Sequence, residues 1–226
     1  MSVEILNCDC MEYMSGLPDK AFSLALVDPP YGVGMDGNKN WSGSKHAVKQ
    51  WDSEAPTPAY FKELRRVSKN QVIWGANHFM HNLALGSSCW IVWDKKNDGF
   101  SFADAELAWT SFDTAVRFFR FHRGEQTDAR IHPTQKPIKL YEWLLTNYAK
   151  PGDRILDTHL GSGSSAIAAH NLGFDFVGTE LDADYYAAAR KRFEQHKAQG
   201  SLFIPDTPRD AYEQTDFEYK EATYEK

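Results

Sequence analysis

Short apolar runs rich in β-branched and aromatic residues recur along this chain. They predict strands at Val3–Leu6, Phe22–Val27, Gln71–Trp74, Cys89–Trp93, Glu106–Thr110, Arg154–Leu156 and Phe174–Gly178. Between them apolar positions return at helical spacing. In Pro58–Ser68 the residues Tyr60, Phe61, Leu64 and Val67 share one face, and Lys139–Tyr148 repeats Leu140, Trp143, Leu144 and Asn147. Ser164–Asn171 and Asp182–Gln199 complete the helices, the last opening on an aspartate cap and closing at Gly200. Strands alternating with helices predict an open, mostly parallel α/β sheet.

Two stretches fall outside this pattern. Gly32–Pro56 is long, rich in Gly, Asn, Ser and Lys, and carries Trp41 and Trp51, which in a folded domain points to a functional or disordered loop. The stretch 201–226 is polar and acidic and reads as a loosely attached tail. At 226 residues the remainder is one domain, 1–200. No run approaches a membrane span, and the amino terminus lacks the regions of a signal peptide, so a cytoplasmic protein is expected. Cys8, Cys10 and Cys89 are too few and too poorly spaced for a zinc site and suit buried thiols in a reducing compartment.

Charge adds a second layer. The net value is −6, yet the tail alone contributes −4, whereas 116–139 and 39–69 each carry a local +4. Local patches rather than the net value decide contact with a polyanion.

The segment Asp153–Ala166 reads as strand, tight glycine turn and helix. Gly161 and Gly163 let the backbone approach a ligand, and Ser162 and Ser164 flank them. The next strand ends at Glu180, where a carboxylate can accept hydrogen bonds from both hydroxyls of a ribose. These parts also serve nicotinamide dinucleotides. A pyrophosphate prefers a neutral or basic surround, however, and the acids Asp157 and Glu180 suit a cofactor with an ammonium and a sulfonium, S-adenosylmethionine.

The apolar run Phe22–Val27 leads straight into Asp28-Pro29-Pro30-Tyr31. Two prolines after a strand make a rigid turn whatever its role. An aromatic amine such as adenine N6 is a poor nucleophile, because its lone pair is delocalised into the ring. The Asp28 carboxylate and the Pro29 carbonyl can hold both amine hydrogens, so that the nitrogen pyramidalises and its lone pair is freed. Tyr31 offers a ring on which a base taken out of a duplex can stack.

With these motifs in this order, the sequence resembles the amino-methylating DNA methyltransferases, in the permuted group whose catalytic half precedes its cofactor half. The resemblance covers about residues 3–196. It extends to Ile5–Asp9, with Asp9 near the cofactor's adenine, to Ile73–Phe79, Trp90–Lys95 and Gly178–Glu180, and to Tyr185 and Tyr186. His132-Pro133-Thr134-Gln135-Lys136-Pro137 matches the family segment whose polar groups, here Thr134, Gln135 and Lys136, help hold the methionine end. One departure is Asp157-Thr158-His159 where the family commonly has Asp-Pro-Phe, a variation reminiscent of phage members. His159 either packs there, bonds the methionine carboxylate, or is structural.

The resemblance implies a doubly wound, seven-stranded Rossmann-like sheet with one antiparallel strand, a catalytic half at 1–131 and a cofactor half at 132–200. It implies N6-adenine methylation of DNA, with N4-cytosine methylation on the same scaffold as the rival. Asp28 leans toward adenine, since cytosine enzymes of this kind more often have Ser there. An inactive DNA-binding protein or an oxidoreductase is the reading from another class. So short a chain has no room for a large recognition domain. The candidates for DNA contact are Trp41, Lys45, Lys49 and Trp51 in the long loop, and Arg117, Arg120 and Arg123 in the basic aromatic segment. A homodimer and a restriction-modification context are both compatible with this reading.

Overall fold

The computed structural model describes residues 1–34, 52–83, 86–97, 103–122 and 131–200. In chain order these form β1 (Val3–Asn7), α1 (Cys10–Ser15), β2 (Phe22–Val27), α2 (Pro58–Val67), β3 (Ser68–Trp74), a 3-10 turn at Ala76–His78 and α3 (Met80–Leu83). Beyond α3 come β4 (Trp90–Asp94), β5 (Ala105–Thr110), β6 (Arg117–Arg120), α4 (Ile138–Tyr148), β7 (Arg154–Asp157), α5 (Ser164–Leu172), β8 (Asp175–Glu180) and α6 (Ala183–Gly200). Each of the seven predicted strands and four predicted helices forms, with ends that differ by at most three residues.

The strands make one sheet in the order β1-β8-β7-β2-β3-β5-β4-β6. Neighbours run parallel except at β5, which is antiparallel to both β3 and β4. Period-two alternation splits β2 between two cores. Leu24 and Leu26 pack with Leu140, Leu144 and Ile167 on the α4–α5 face, while Ala25 and Val27 pack with Met14, Phe61 and Leu64 on the α1–α2 face. A strand buried on both sides needs the unbroken apolar run that Phe22–Val27 supplies.

The structure corrects one expectation. The sheet has eight strands rather than seven, the addition being β6, which pairs parallel to β4 from Ile91↔Arg117 to Asp94↔Arg120. Its sequence, Arg-Phe-Phe-Arg, has no clean alternation because only Phe119 finds a core, packing against Trp143 at 5.6 Å, while Phe118 is 57% exposed. β1 lies beyond β8, at the far edge of the cofactor half, in register from Val3↔Phe176 to Asn7↔Glu180. Among the described residues, no helix is long and apolar enough to cross a membrane.

The halves meet where β2 pairs with β7, through Leu24↔Ile155 and Ala25↔Leu156. The strand order reverses at this seam, and ligands of open α/β sheets bind at the carboxyl ends of the strands beside such a point. Asp28 and Asp157 are the residues delivered there.

Candidate active site

The Asp28-Pro29-Pro30-Tyr31 turn follows β2, and two prolines deny it a helical continuation. A buried carboxylate shapes the rest of the turn. Asp52, 1% exposed, accepts the backbone N–H groups of Tyr31 at 2.6 Å and Gly32 at 2.9 Å. Tyr31 thereby lies under the end of β3, its ring stacked on His78 with centroids 5.1 Å apart. Gly75 makes the space. It has φ +67°, and a Cβ there would fall 2.0 Å from Tyr31 Cε1. The ring expected to receive a base therefore already has a partner on one face.

Asp28 is held from two directions. Its Oδ1 accepts the Tyr31 hydroxyl at 2.8 Å, and its Oδ2 accepts Lys136 Nζ at 2.5 Å. Lys136 also donates to Tyr31 Oη at 3.2 Å and lies 3.1 Å from Glu106 Oε2, while Lys95 Nζ is 2.5 Å from Glu106 Oε1. Burial holds the Asp28 carboxyl above its usual range, and the Lys136 cation limits that rise. Burial likewise raises the Tyr31 phenol well above its usual range, so that it remains a donor. Glu106, between two ammonium groups, is pulled down to about 2 even though its burial pushes upward.

The cofactor turn is built differently. Asp157 Oδ1 accepts the His159 N–H at 3.0 Å and Oδ2 accepts Ser165 Oγ at 2.6 Å. Burial pushes its carboxyl up to about 7. Gly161 and Gly163 adopt φ +53° and +74°, and a Cβ on Gly163 would press on Ala189 Cβ at 3.3 Å. Glu180 closes the turn, with Oε2 accepting Gly161 N–H at 2.8 Å and Oε1 accepting Asp182 N–H at 2.9 Å. Each oxygen retains a lone pair for a ligand hydroxyl. His159 Nδ1 is 2.9 Å from Thr158 Oγ1, its ring meets Tyr60 edge-on, and burial lowers it to about 4, so it is neutral near pH 7.

One cavity of about 660 Å³ joins the two turns. Of the predicted residues, Asp28 and Pro30 line it from the catalytic side, and His159, Gly161, Ser162 and Glu180 from the glycine side. Asp9, Thr134, Gln135 and Lys136 complete that set. Pro29, Tyr31, Asp157, Gly163 and Ser164 do not line it. Tyr31 and Asp157 act through hydrogen bonds to residues that do. Asp9 has a second task, since its Oδ1 caps α1 by accepting the N–H groups of Met11 and Glu12. Cys8 and Cys10, expected as buried thiols, are half-buried in the cavity wall, and burial pushes Cys10 up to about 12.

Arg117 and Arg120 occupy opposite ends of β6. Only Arg120 reaches the carboxyl edge of the sheet, where it pairs with Asp94 at 3.3 Å. Trp41, Lys45, Lys49, Trp51 and Arg123 lie outside the described residues. Sequence reasoning misses Asp52, Gly75, Lys95 and Glu106. Only Gly75 leaves a local trace, as a glycine directly after a strand.

The donor set fits a cofactor that is adenosine-bearing and cationic. Asp9, Asp28, Glu180 and Asp182 line the cavity beside the apolar Leu160 and Leu181. Its lone lysine is already bound to carboxylates, which is a poor setting for a pyrophosphate.

Comparison with known proteins agrees. Residues 113–191 match the model of the DNA methylase family. The YubD protein of Escherichia coli strain K12 is 24% identical over 88% of this chain and 96% of its own length. The type II methyltransferase M.HinfI of Haemophilus influenzae is 24% identical over 85% of this chain and 68% of its own. Among solved structures, the M1.HpyAVI–SAM complex superposes with a TM-score of 0.58 at 20% identity, covering 84% of this chain and all of the other. The cytosine-N4-specific PvuII DNA methyltransferase gives 0.60 at 13% identity, covering 88% and 91%. The solved structures share the Rossmann-like fold of this chain, and both the matched segment and the relatives are those of DNA methylases, to which this chain is similar.

Proposed function

We propose that the chain methylates the exocyclic N6 amine of adenine in DNA, drawing the methyl group from S-adenosylmethionine. One observation carries the reading: Asp28 faces the same cavity as the glycine turn and Glu180, although far from both in sequence. When bound, the cofactor supplies an electrophilic sulfonium methyl. Glu180 would take the ribose hydroxyls, Asp9 would lie near the adenine, and Thr134, Gln135 and His159 would face the methionine end.

The chain's own residues prepare the acceptor. Asp28 and the Pro29 carbonyl accept the two amine hydrogens, which localises the nitrogen lone pair. Once nitrogen has formed its new bond to carbon it carries a surplus proton, and the ionised Asp28 is the adjacent base that can take it. No covalent enzyme intermediate is required. The base must leave its stack to reach Asp28, because the carboxylate is recessed beside Pro30 and Tyr31. Arg120, at the site's edge of the sheet, is the described member of the proposed phosphate-contacting set best placed to act.

N4-cytosine transfer is the second reading, favoured by the likeness of the fold to a cytosine-N4-specific enzyme. DNA incubated with the protein and methyl-labelled cofactor, digested and resolved by nucleoside chromatography, separates the two. The label should run with N6-methyldeoxyadenosine. Label in N4-methyldeoxycytidine replaces the first reading by the second, and unlabelled nucleosides remove both.

A further inference from the structure

Four ionisable groups of alternating sign lead to the catalytic carboxylate. Lys95 follows β4, Glu106 lies on β5, Lys136 precedes α4, and Asp28 follows β2. Successive contacts measure 2.5, 3.1 and 2.5 Å. Lys136 is 4% exposed, and its ammonium lies 5.4 Å from the Trp74 ring centroid and 5.7 Å from that of Tyr31. A buried ammonium is costly unless its protons are directed at acceptors. Two are donated to Asp28 and Tyr31, and Glu106 Oε2 lies 3.1 Å away as an ion-pair partner without hydrogen-bond geometry. The ammonium is thus engaged on the Asp28 side, whereas the family resemblance gives this residue a part at the methionine end.

We propose that Lys136, fixed by Glu106 and Lys95, is a positioning residue that keeps Asp28 ionised and oriented toward the substrate amine, and is not a ligand of the cofactor. The inference rests on Asp28 as the amine's acceptor. A protonated carboxyl binds an amine hydrogen weakly and cannot take the surplus proton. Of the other described groups facing Asp28, the Tyr31 hydroxyl assists by donating a hydrogen bond, whereas Glu106 from β5 and Asp157 from β7 are acids that oppose ionisation, and Tyr60 from α2 and Tyr141 from α4 are phenols. Among the described residues, Lys136 is the cation in contact with Asp28. Lys95 and Glu106 brace that contact. Glu106 anchors the lysine, and Lys95 offsets the negative charge that Glu106 would otherwise present to Asp28.

The test follows the Asp28 carboxyl directly, by carbon-detected NMR titration of the full chain, its signal assigned by its loss in D28N. In Lys136→Met the Asp28 pKa should rise by about one to three units, the usual effect of an opposite charge at contact distance. The acid limb of the kcat–pH profile should move with it. Affinity for S-adenosylmethionine, read by calorimetry, should stay within about threefold, because an interaction acting through Asp28 affects turnover rather than cofactor binding. Lys136→Arg keeps the charge and should hold the carboxyl near its wild-type value, which also covers the case of a methionine variant that does not fold. An unmoved Asp28 pKa in folded Lys136→Met overturns the proposal. So does a tenfold or larger loss of cofactor affinity, which returns Lys136 to the methionine end. A wild-type protein that labels no DNA base would remove the methyl-transfer reading instead, leaving the titration to decide what Lys136 does.

Discussion

The two turns that meet across β2 and β7 hold their acids in opposite ways. Asp157 and Glu180 are satisfied by backbone N–H groups and a serine from within about twenty residues. Asp28 draws on a lysine 108 residues away and on a tyrosine that Asp52 and Gly75 put in place. Neutral donors suit a turn that only has to keep its shape around a ligand. A fixed cation suits a carboxylate that must remain charged in a largely buried cleft. The acids of the glycine turn are held by local groups, whereas the Asp28 turn draws its supports from distant parts of the chain.

The largest effect should come from removing the charge-held acid. Asp28→Ala should lower kcat by at least about 10²–10³, the usual loss for one preorganised group acting in the transition state. Cofactor affinity should be little changed, with folding checked by thermal melting. A folded variant turning over at the wild-type rate would erase the distinction between the turns. Glu180→Ala should do the converse, weakening S-adenosylmethionine binding by about 1.5–3 kcal/mol in calorimetry. Unchanged affinity would make Glu180 purely a clasp for Gly161 and Asp182.

The neutral-donor arrangement also has a pH signature. The Asp157 carboxyl is raised to about 7 in the fold, so it contributes stability below its unfolded value near 4 that is lost as pH rises through about 7. His159 is lowered to about 4, and its contribution is present above about 6.5 and lost as pH falls toward 4. Asp157→Asn removes the first effect and keeps the second. Its melting temperature relative to wild type should therefore climb steadily between pH 4 and 8, and a flat difference would show that Asp157 is charged throughout. The smallest effect concerns the sheet's edge. Arg120→Ala should weaken DNA binding a few-fold and reduce its salt slope by about one, and Arg117→Ala, at the other end of β6, should do less. Equal effects would mean that DNA runs along β6 rather than across its carboxyl end.

The same contrast explains how much is legible in the sequence. The glycine turn, Glu180 and the central strands are written in consecutive residues, and periodicity finds them. So is the Asp28 turn as a motif. Its supports are not, because Lys95, Glu106 and Lys136 converge only after β4, β5 and β2 have paired through β3, and no spacing announces them. β6 is hidden for a related reason, since an edge strand with one buried side chain carries almost no alternation. α1 escapes because six residues are too few to show a helical period, although its cap, Asp9, stands out as a site candidate.

The position of β1 carries one more consequence. The amino end of the chain is tied to β8 by the Ser2 N–H donating to Asp175 Oδ1 at 2.5 Å, and α6 packs beside β1. The first and last elements of the sheet region are therefore neighbours, and the path through the fold is close to a ring. What fixes the fold is the cyclic succession of elements, not the point at which the ring is cut. A protein bridged from α6 to β1 and reopened at the Pro151–Gly152 turn would run β7, α5, β8, α6, β1, α1, β2, with every strand keeping its partners. Two genes with opposite orders of halves can thus encode the same cleft, and alignment from end to end would hide their kinship.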